Sequence, residues 1–384
     1  MRIGLNAITF QPGGMGGMET YFRNLLAGLQ VLDRGNGYTI LCAERHGCEF
    51  PLINDRFRMR YVNFARPSIN WLMRGIVRNT IALDILELKM RRLELDVIHH
   101  PFNVLTPAGT GIPSVLTFWD MQHEFFPDFF NPVELRKRRR VYRASAEGAT
   151  RIIVAAEFTK RCLVERYGID GDKIEVIPTG YGPEYRVIED SGFLDRISRK
   201  YGLSRPFLFY PAATWPHKNH KTLLAALRIM ADRHSFDGEL VLTGIAMQSH
   251  GEIMAEIGRL GLGDMVKVLG YLPADELPGI YNLARLMVFP SLFEGFGIPL
   301  VEAMASGCPV ACSDVTSMPD VVGDAGELFD PGSPEDMAEK LYALWTDEER
   351  LSRMRGLGLE RAALFQWNET ARRTLNAYRK AAGG

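Results

Sequence analysis

The sequence has little that would tie it to a membrane, a nucleic acid or an oxidising compartment. No apolar run approaches the roughly 20 residues needed to span a bilayer. Lysine and arginine number 45 against 46 acidic residues, a formal charge of −1, so no global field draws nucleic acid or favours disorder. The five cysteines, Cys42, Cys48, Cys162, Cys308 and Cys312, are an odd, scattered set, which points to reduced thiols and away from a disulfide framework. Cys308 and Cys312 lack a second Cys or His pair, so a four-ligand zinc site is not expected. The opening MRIGLNAITF carries no small-residue cleavage site, and a cytoplasmic location is expected. Internal repeats and low-complexity segments are also missing, which leaves ordinary globular domains.

What the chain does have is length: 384 residues suffice for two or three domains with sizeable cores. Short apolar runs alternate with helical patterns. RIGLNAITF (2–10), YTILCA (38–43), DVIHH (96–100), PSVLTF (113–118), TRIIVAA (150–156) and KIEVIP (173–178) read as buried parallel strands. Between the first two, Tyr21, Leu25, Leu29 and Leu32 mark one apolar helical face. A Gly-, Pro- and acid-rich stretch follows Pro178, and a second alternation then begins with PFLFYP, ELVLTG, VKVLGYL, RLMVFPS and PVACSD. The expectation is an α/β protein of two Rossmann-like doubly wound domains facing a central cleft. The N-terminal one spans 1–185 and the C-terminal one 186–365. The final helix, 366–384, places Trp367, Ala371, Leu375 and Tyr378 on one stripe, so it docks.

Charge is uneven along the chain. Residues 1–190 hold 25 basic and 22 acidic side chains, and the rest hold 20 and 24. The excess gathers in ELRKRRRVYR, where Arg136, Lys137, Arg138, Arg139, Arg140 and Arg143 cover most of a helix. Such a run is either a solvated face or a patch for anionic lipid or a phosphorylated acceptor.

Ligands of open α/β sheets bind beyond the carboxyl ends of strands, and the chemistry-bearing residues fall there. In SLFEGFGIPLVEAMA a strand ends at Pro290, a Gly-rich loop follows, and Pro299 stands where a first helical turn favours it. The amides near Gly297 and Ile298, with the helix dipole, form a site for a phosphate. Glu294 lies in the loop and Glu302 in the helix; each could instead be an exposed or dipole-stabilised acid. In YPAATWPHKNHK, Lys218 follows a strand and can neutralise phosphate oxygens; a solvated lysine is the alternative. Gly16 and Gly17 follow the first strand and allow close backbone approach, though a simple turn would use them too. Trp119 and Asp120 follow the strand 113–118, where Asp120 meets a ligand across the crevice. His123 could do proton work near pH 7 or be a packed, hydrogen-bonded ring, and the same choice holds for His99 and His100 at the end of their strand. Asp170-Gly-Asp172 has the form of a metal-binding D-x-D but sits in a polar turn, where turn chemistry explains it.

Taken together these residues resemble family four of the retaining glycosyltransferases, which have the GT-B fold. SLFEGFGIPLVEAMASGCPVACSD is similar to that family's glutamate-x7-glutamate signature. The likeness extends to the N-terminal glycine loop, DVIHHPFN, DMQHEFFPDFF, RIIVAAEFTK, TWPHKNHKTLL, DVVGDAGELFDPGSPEDMAEKL and the closing FQWNETARRTL. The resemblance implies a nucleotide-sugar donor on the C-terminal domain, a glycan or lipid-linked acceptor on the N-terminal one, a last helix that crosses back, and no metal or other cofactor. It assigns Glu302 to the ribose hydroxyls, Glu294 to the vicinity of the donor sugar, and Lys218 to the diphosphate with Asn219 beside it. Gly295, Phe296, Gly297 and Ile298 would complete the phosphate cradle with their amides, and Gly16 and Gly17 would close over it. Glu294, Lys218 and Asp120 are the candidate catalytic residues; Trp119, His100 and His123 are candidates on the acceptor side. Two positions depart from the family pattern. Ala212 stands where many members have an arginine, and Trp119-Asp120 where many have a His-Asp pair. The variants of DMQHEFFPDFF and PHKNH look most like bacterial enzymes that build O-antigen or exopolysaccharide, so GDP-mannose is the leading donor. A nucleotide-sugar epimerase or a non-catalytic nucleotide-sugar binder is the alternative.

Overall fold

The computed structural model describes residues 1–44, 48–62 and 85–383. It divides into two compact units, residues 1–180 with 366–384, and residues 181–365.

The first unit is built on a seven-stranded parallel sheet. Its strands are β1 Arg2–Ala7, β2 Gly37–Ala43, β3 Phe57–Val62, β4 Val97–His100, β5 Ser114–Thr117, β6 Arg151–Val154 and β7 Ile174–Val176. They lie in the order β3-β2-β1-β4-β5-β6-β7. Central strands such as β4 and β5 are buried along their whole length, as expected of a parallel sheet covered by helices on both faces. Helix Gly17–Leu32 supplies Tyr21, Phe22, Leu25 and Leu29 to a core that also takes Phe10, Phe50 and Trp119.

Helix Trp367–Ala381 closes the same core with Ala371, Leu375 and Tyr378. It lies so near helix Gly17–Leu32 that a Cβ on Gly28 would come within 3.0 Å of the Ala371 Cβ. Buried polar groups fix its register: the His99 ring meets the Tyr378 hydroxyl at 2.8 Å and Thr117 Oγ1 at 2.7 Å, and the Tyr21 hydroxyl meets the same Thr117 at 3.1 Å. Burial holds His99 neutral, with its pKa lowered to about 3. It is thus a satisfied core histidine.

The second unit has a six-stranded parallel sheet. Its strands are β8 Phe207–Pro211, β9 Glu239–Thr243, β10 Val266–Gly270, β11 Leu286–Phe289, β12 Val310–Ser313 and β13 Gly326–Phe329, in the order β10-β9-β8-β11-β12-β13. In each sheet the order reverses once, between β1 and β4 and between β8 and β11. These switch points leave a crevice at the carboxyl ends of the strands.

Asp170-Gly-Asp172 is turn chemistry: the Asp170 carboxylate accepts the Asp172 N–H at 3.0 Å. Cys308 and Cys312 are buried and unpaired, and burial pushes the Cys308 thiol up to about 12.

Candidate active site

Within the second unit, the loops that follow β8 and β11 meet at the switch point. The β8 loop ends in a tight turn, Pro216–Lys218, and Asn219 then opens helix His220–Arg233 with a left-handed φ of 59°. The Asn219 side chain makes that geometry useful. Its amide donates to the carbonyls of Pro290 at 3.1 Å and Pro331 at 2.8 Å, and its oxygen accepts from Thr222 at 2.6 Å. It is a staple between three loops, so its side chain is committed to the protein.

Two further contacts lock the β8 loop to the β11 loop. The Tyr210 hydroxyl donates to the Lys218 carbonyl at 2.7 Å, and the Leu292 N–H donates to the His217 carbonyl at 2.8 Å. The outcome is an ion pair: Lys218 Nζ lies 2.5 Å from Glu294 Oε1, with 17% and 14% of the two side chains exposed. The Lys218 ammonium also sits 5.4 Å above the Phe289 ring. Burial and the neighbouring Lys218 charge keep His217 neutral, its pKa lowered to about 4.

Gly297 adopts φ 102° and caps helix Ile298–Ala305, with Pro299 in its first turn. A side chain at that φ is strained, and a Cβ there would lie 3.1 Å from Leu300 Cδ1. The loop is held from behind, where Ser317 Oγ donates to the carbonyls of Glu294 and Phe296 and the Glu294 N–H meets Thr316 Oγ1 at 3.3 Å. With those carbonyls tied back, the chain's donors are left forward. Among the described residues, the N–H groups of Gly295, Phe296, Gly297 and Ile298 have no protein acceptor. Four free amides at a helix N-terminus, beside a lysine, can hold an anion. The Phe296 ring itself is buried against Phe365, so only its amide is available.

Glu302 shows what residue order alone conceals. Tyr281, in helix Leu277–Leu283, donates its hydroxyl to Glu302 Oε2 at 3.0 Å, and Tyr185 bonds to the same carboxyl. The two tyrosine rings meet edge to face at 5.7 Å. Burial raises the Glu302 pKa to about 7, against the two hydroxyls that lower it. Neither tyrosine neighbours Glu302 in sequence: Tyr281 sits in an apolar run and Tyr185 in the Gly-, Pro- and acid-rich stretch after Pro178.

The first unit holds the remaining candidates at its own switch point. After β1, Gly13 and Gly16 take left-handed φ values of 72° and 52°, and among the described residues nothing beyond the chain neighbours lies within 4 Å of where a Cβ would stand on either. Gly17 is the first residue of helix Gly17–Leu32. Glu19 reaches back to the Gly13 N–H at 2.7 Å and fixes the turn. At the end of β4, His100 Nδ1 accepts the Thr106 N–H at 3.3 Å and meets Asn6 Nδ2 at 3.1 Å. These donors place the ring proton on Nε2, and burial lowers its pKa to about 3.

After β5 the Asp120 carboxylate caps the Gln122 N–H at 3.0 Å. Trp119 is buried: its indole N–H donates to the Pro101 carbonyl at 2.9 Å, and its ring meets Tyr21 edge-on at 4.7 Å. His123 has no exposed surface. Its Nε2 meets the Tyr167 hydroxyl at 3.1 Å, and burial lowers its pKa to about 4. The ring is packed, as the second of the two sequence-based alternatives has it.

The two units match two family models. Residues 15–185 match "Glycosyltransferase Family 4" and residues 195–358 match "Glycosyl transferases group 1". An O-antigen chain mannosyltransferase B of Escherichia coli is 28% identical over 285 residues, 74% of each chain. A serotype-specific mannosyltransferase WbdA of the same organism is 30% identical over 241 residues, 61% of this chain but 29% of that longer protein. Among solved structures, a sucrose-phosphate synthase of Thermosynechococcus elongatus covers 99% of this chain and 98% of its own, with TM-score 0.78 and 20% identity. Anabaena HepE in complex with UDP and glucose covers 99% of this chain and 100% of its own, with TM-score 0.75 and 18% identity. At such identities the structures speak to the fold, two parallel-sheet α/β domains of the GT-B type. With one family model on each unit and that fold over the whole length, the chain belongs to family four of the glycosyltransferases, enzymes of the hexosyltransferase class.

Proposed function

We propose that the protein transfers mannose from GDP-mannose to a hydroxyl of a glycan or lipid-linked glycan in cell-surface polysaccharide synthesis, with retention at the anomeric carbon. The observation that carries the transfer chemistry is the Lys218–Glu294 pair beside four unpartnered amides at the start of helix Ile298–Ala305. Charge develops on the departing diphosphate, and donors already aimed at it act chiefly in the transition state. Lys218 and the amides of Gly295 to Ile298 supply that charge, so the proposal calls on no metal. When the diphosphate takes Lys218, Glu294 is released to face an oxocarbenium-like sugar. Glu302, held by Tyr281 and Tyr185, accepts from the ribose hydroxyls.

The donor sugar rests on the mannosyltransferase relatives. A thermal-shift screen of nucleotide sugars tests it, because stabilisation grows as RT ln(1 + [L]/Kd) and reaches about 2.7 kcal/mol at a hundredfold Kd. GDP-mannose is expected to stabilise most; a larger shift with a UDP-sugar overturns the donor. Proton NMR of the product tests retention, and inversion at the anomeric carbon overturns it.

Among the described residues no helix is long and apolar enough to cross a membrane. The basic helix Pro132–Gly148 supports a peripheral contact at the inner leaflet. Arg138, Arg139 and Arg143 are paired with Glu134, Glu124 and Glu147. Arg136, Lys137 and Arg140 are exposed on one face next to Val133, which is 69% exposed. At about 1 kcal/mol per basic residue near an anionic surface, these three support weak, salt-sensitive binding. Sedimentation with anionic and neutral liposomes should show a preference for the anionic ones that an Arg136, Lys137 and Arg140 triple alanine variant loses. Equal sedimentation overturns the membrane contact.

A further inference from the structure

The second unit has a cavity that the donor chemistry does not use. It is an open groove of about 390 Å³ at the amino ends of β8 and β11, the edge of the sheet opposite Lys218 and Glu294. Its walls are the segment that leads into β8, the segment that leads into β11, and helix Glu348–Ala362. From that helix Glu348, Leu351, Ser352 and Arg355 face the cavity, a spacing of three, one and three that one helical face provides.

Three arginines line it, and their states differ. Arg205 is turned toward the carbonyl of Asp237 and lies 3.6 Å from Glu239. Arg285 donates to the Trp345 carbonyl at 2.8 Å and pairs at 2.9 Å with Glu348, a rim residue whose side chain is 79% exposed. Arg355 is exposed and, among the described residues, has neither a hydrogen bond nor a carboxylate partner. Ser204 and Ser352 add hydroxyls, while Leu203, Phe207 and Leu351 give an apolar floor.

The geometry points to a binding site for a small organic phosphomonoester. Arginine forks match phosphate oxygens bidentately, and a phosphomonoester carries about −1.5 to −2 charges at pH 7. One such group can satisfy Arg355 and compete with the exposed Glu348 carboxylate for Arg285. The volume exceeds what one phosphate fills, and the apolar floor suits a carbon skeleton.

Calorimetric titration of the full chain with glycerol 3-phosphate tests the site, with inorganic phosphate and succinate as parallel probes. Saturable binding is expected, weakened at least tenfold by Arg355→Ala, partly restored by Arg355→Lys and unchanged by Lys218→Ala. Arg355 is the safe residue to change, because among the described residues its guanidinium makes no hydrogen bond or ion pair. Binding that survives Arg355→Ala, or that Lys218→Ala abolishes, overturns the site. Equal affinity for succinate overturns the phosphate assignment, and equal affinity for inorganic phosphate overturns the organic part. None of these readings depends on the identity of the sugar donor.

Discussion

At the scale of single residues, Lys218 and Glu302 carry the sharpest expectations. Lys218 is held 2.5 Å from Glu294 with little exposure, and its proposed work is to meet charge as it forms. Loss of one preorganised donor costs about 2.7 to 4 kcal/mol in the barrier, so Lys218→Ala should lower kcat by about a hundred- to a thousandfold. A merely structural ion pair would behave otherwise: stability would drop on removing either partner and recover in the double variant, with kcat nearly unmoved. Steady-state kinetics and urea unfolding on the three variants separate the cases.

Glu302 makes a prediction about pH. Its carboxyl ionises near 4.5 in the unfolded chain and near 7 in the folded one, chiefly because it is buried. Between those values the unfolded chain has released a proton that the folded chain still holds, so stability declines as pH rises through that window. Glu302→Gln should flatten this part of the profile of Tm against pH. A slope unchanged by the substitution would show that Glu302 is not the group that titrates there.

Among the elements, the buried strands were legible, as were the edge strands β7 and β10, while the edge strands β3 and β13 were not. RIGLNAITF, ELVLTG and RLMVFPS are predominantly apolar runs, and each contains a strand, because a parallel strand buried on both faces needs mainly apolar side chains. β3, Phe57–Val62, escaped that reading because it is an edge strand whose Arg58, Arg60 and Tyr61 are exposed or partly so. β13, Gly326–Phe329, escaped it because only Phe329 is fully buried. The same division holds at the candidate site. Gly297 before Pro299 announced a loop and a helix start. The staple at Asn219 and the tyrosines around Glu302 join residues 71, 112, 21 and 117 positions apart, and no local pattern encodes them. The glycine yields a measurable consequence: Gly297→Ala forces a Cβ into a left-handed backbone, a strain of roughly 1 to 2 kcal/mol. Urea unfolding should report a loss of that order, with weakened phosphate binding. An unchanged midpoint would mean that the loop relaxes without penalty.

For the molecule as a whole, the order of the chain and the order of the folded units disagree. The chain leaves the first unit at Gly180, builds the second, and returns at Gln366 to finish the first. The return is tightly specified: a Cβ on Gly180 would lie 2.5 Å from the Trp367 amide nitrogen, and Thr370 Oγ1 donates to the Pro178 carbonyl at 2.7 Å. Helix Trp367–Ala381 also covers buried polar groups that would otherwise lack partners, above all His99 through Tyr378. A buried group left unsatisfied costs about 1 to 3 kcal/mol, so Tyr378→Phe should destabilise the first unit by that amount while the second is unaffected. Deletion after Phe365 goes further, since it removes Ala371, Leu375 and Tyr378 from the first core at once. Limited proteolysis of the truncated chain should then cleave within residues 1–180 and spare 181–365. Equal protection of both units would show that the first sheet holds its core without the returning helix.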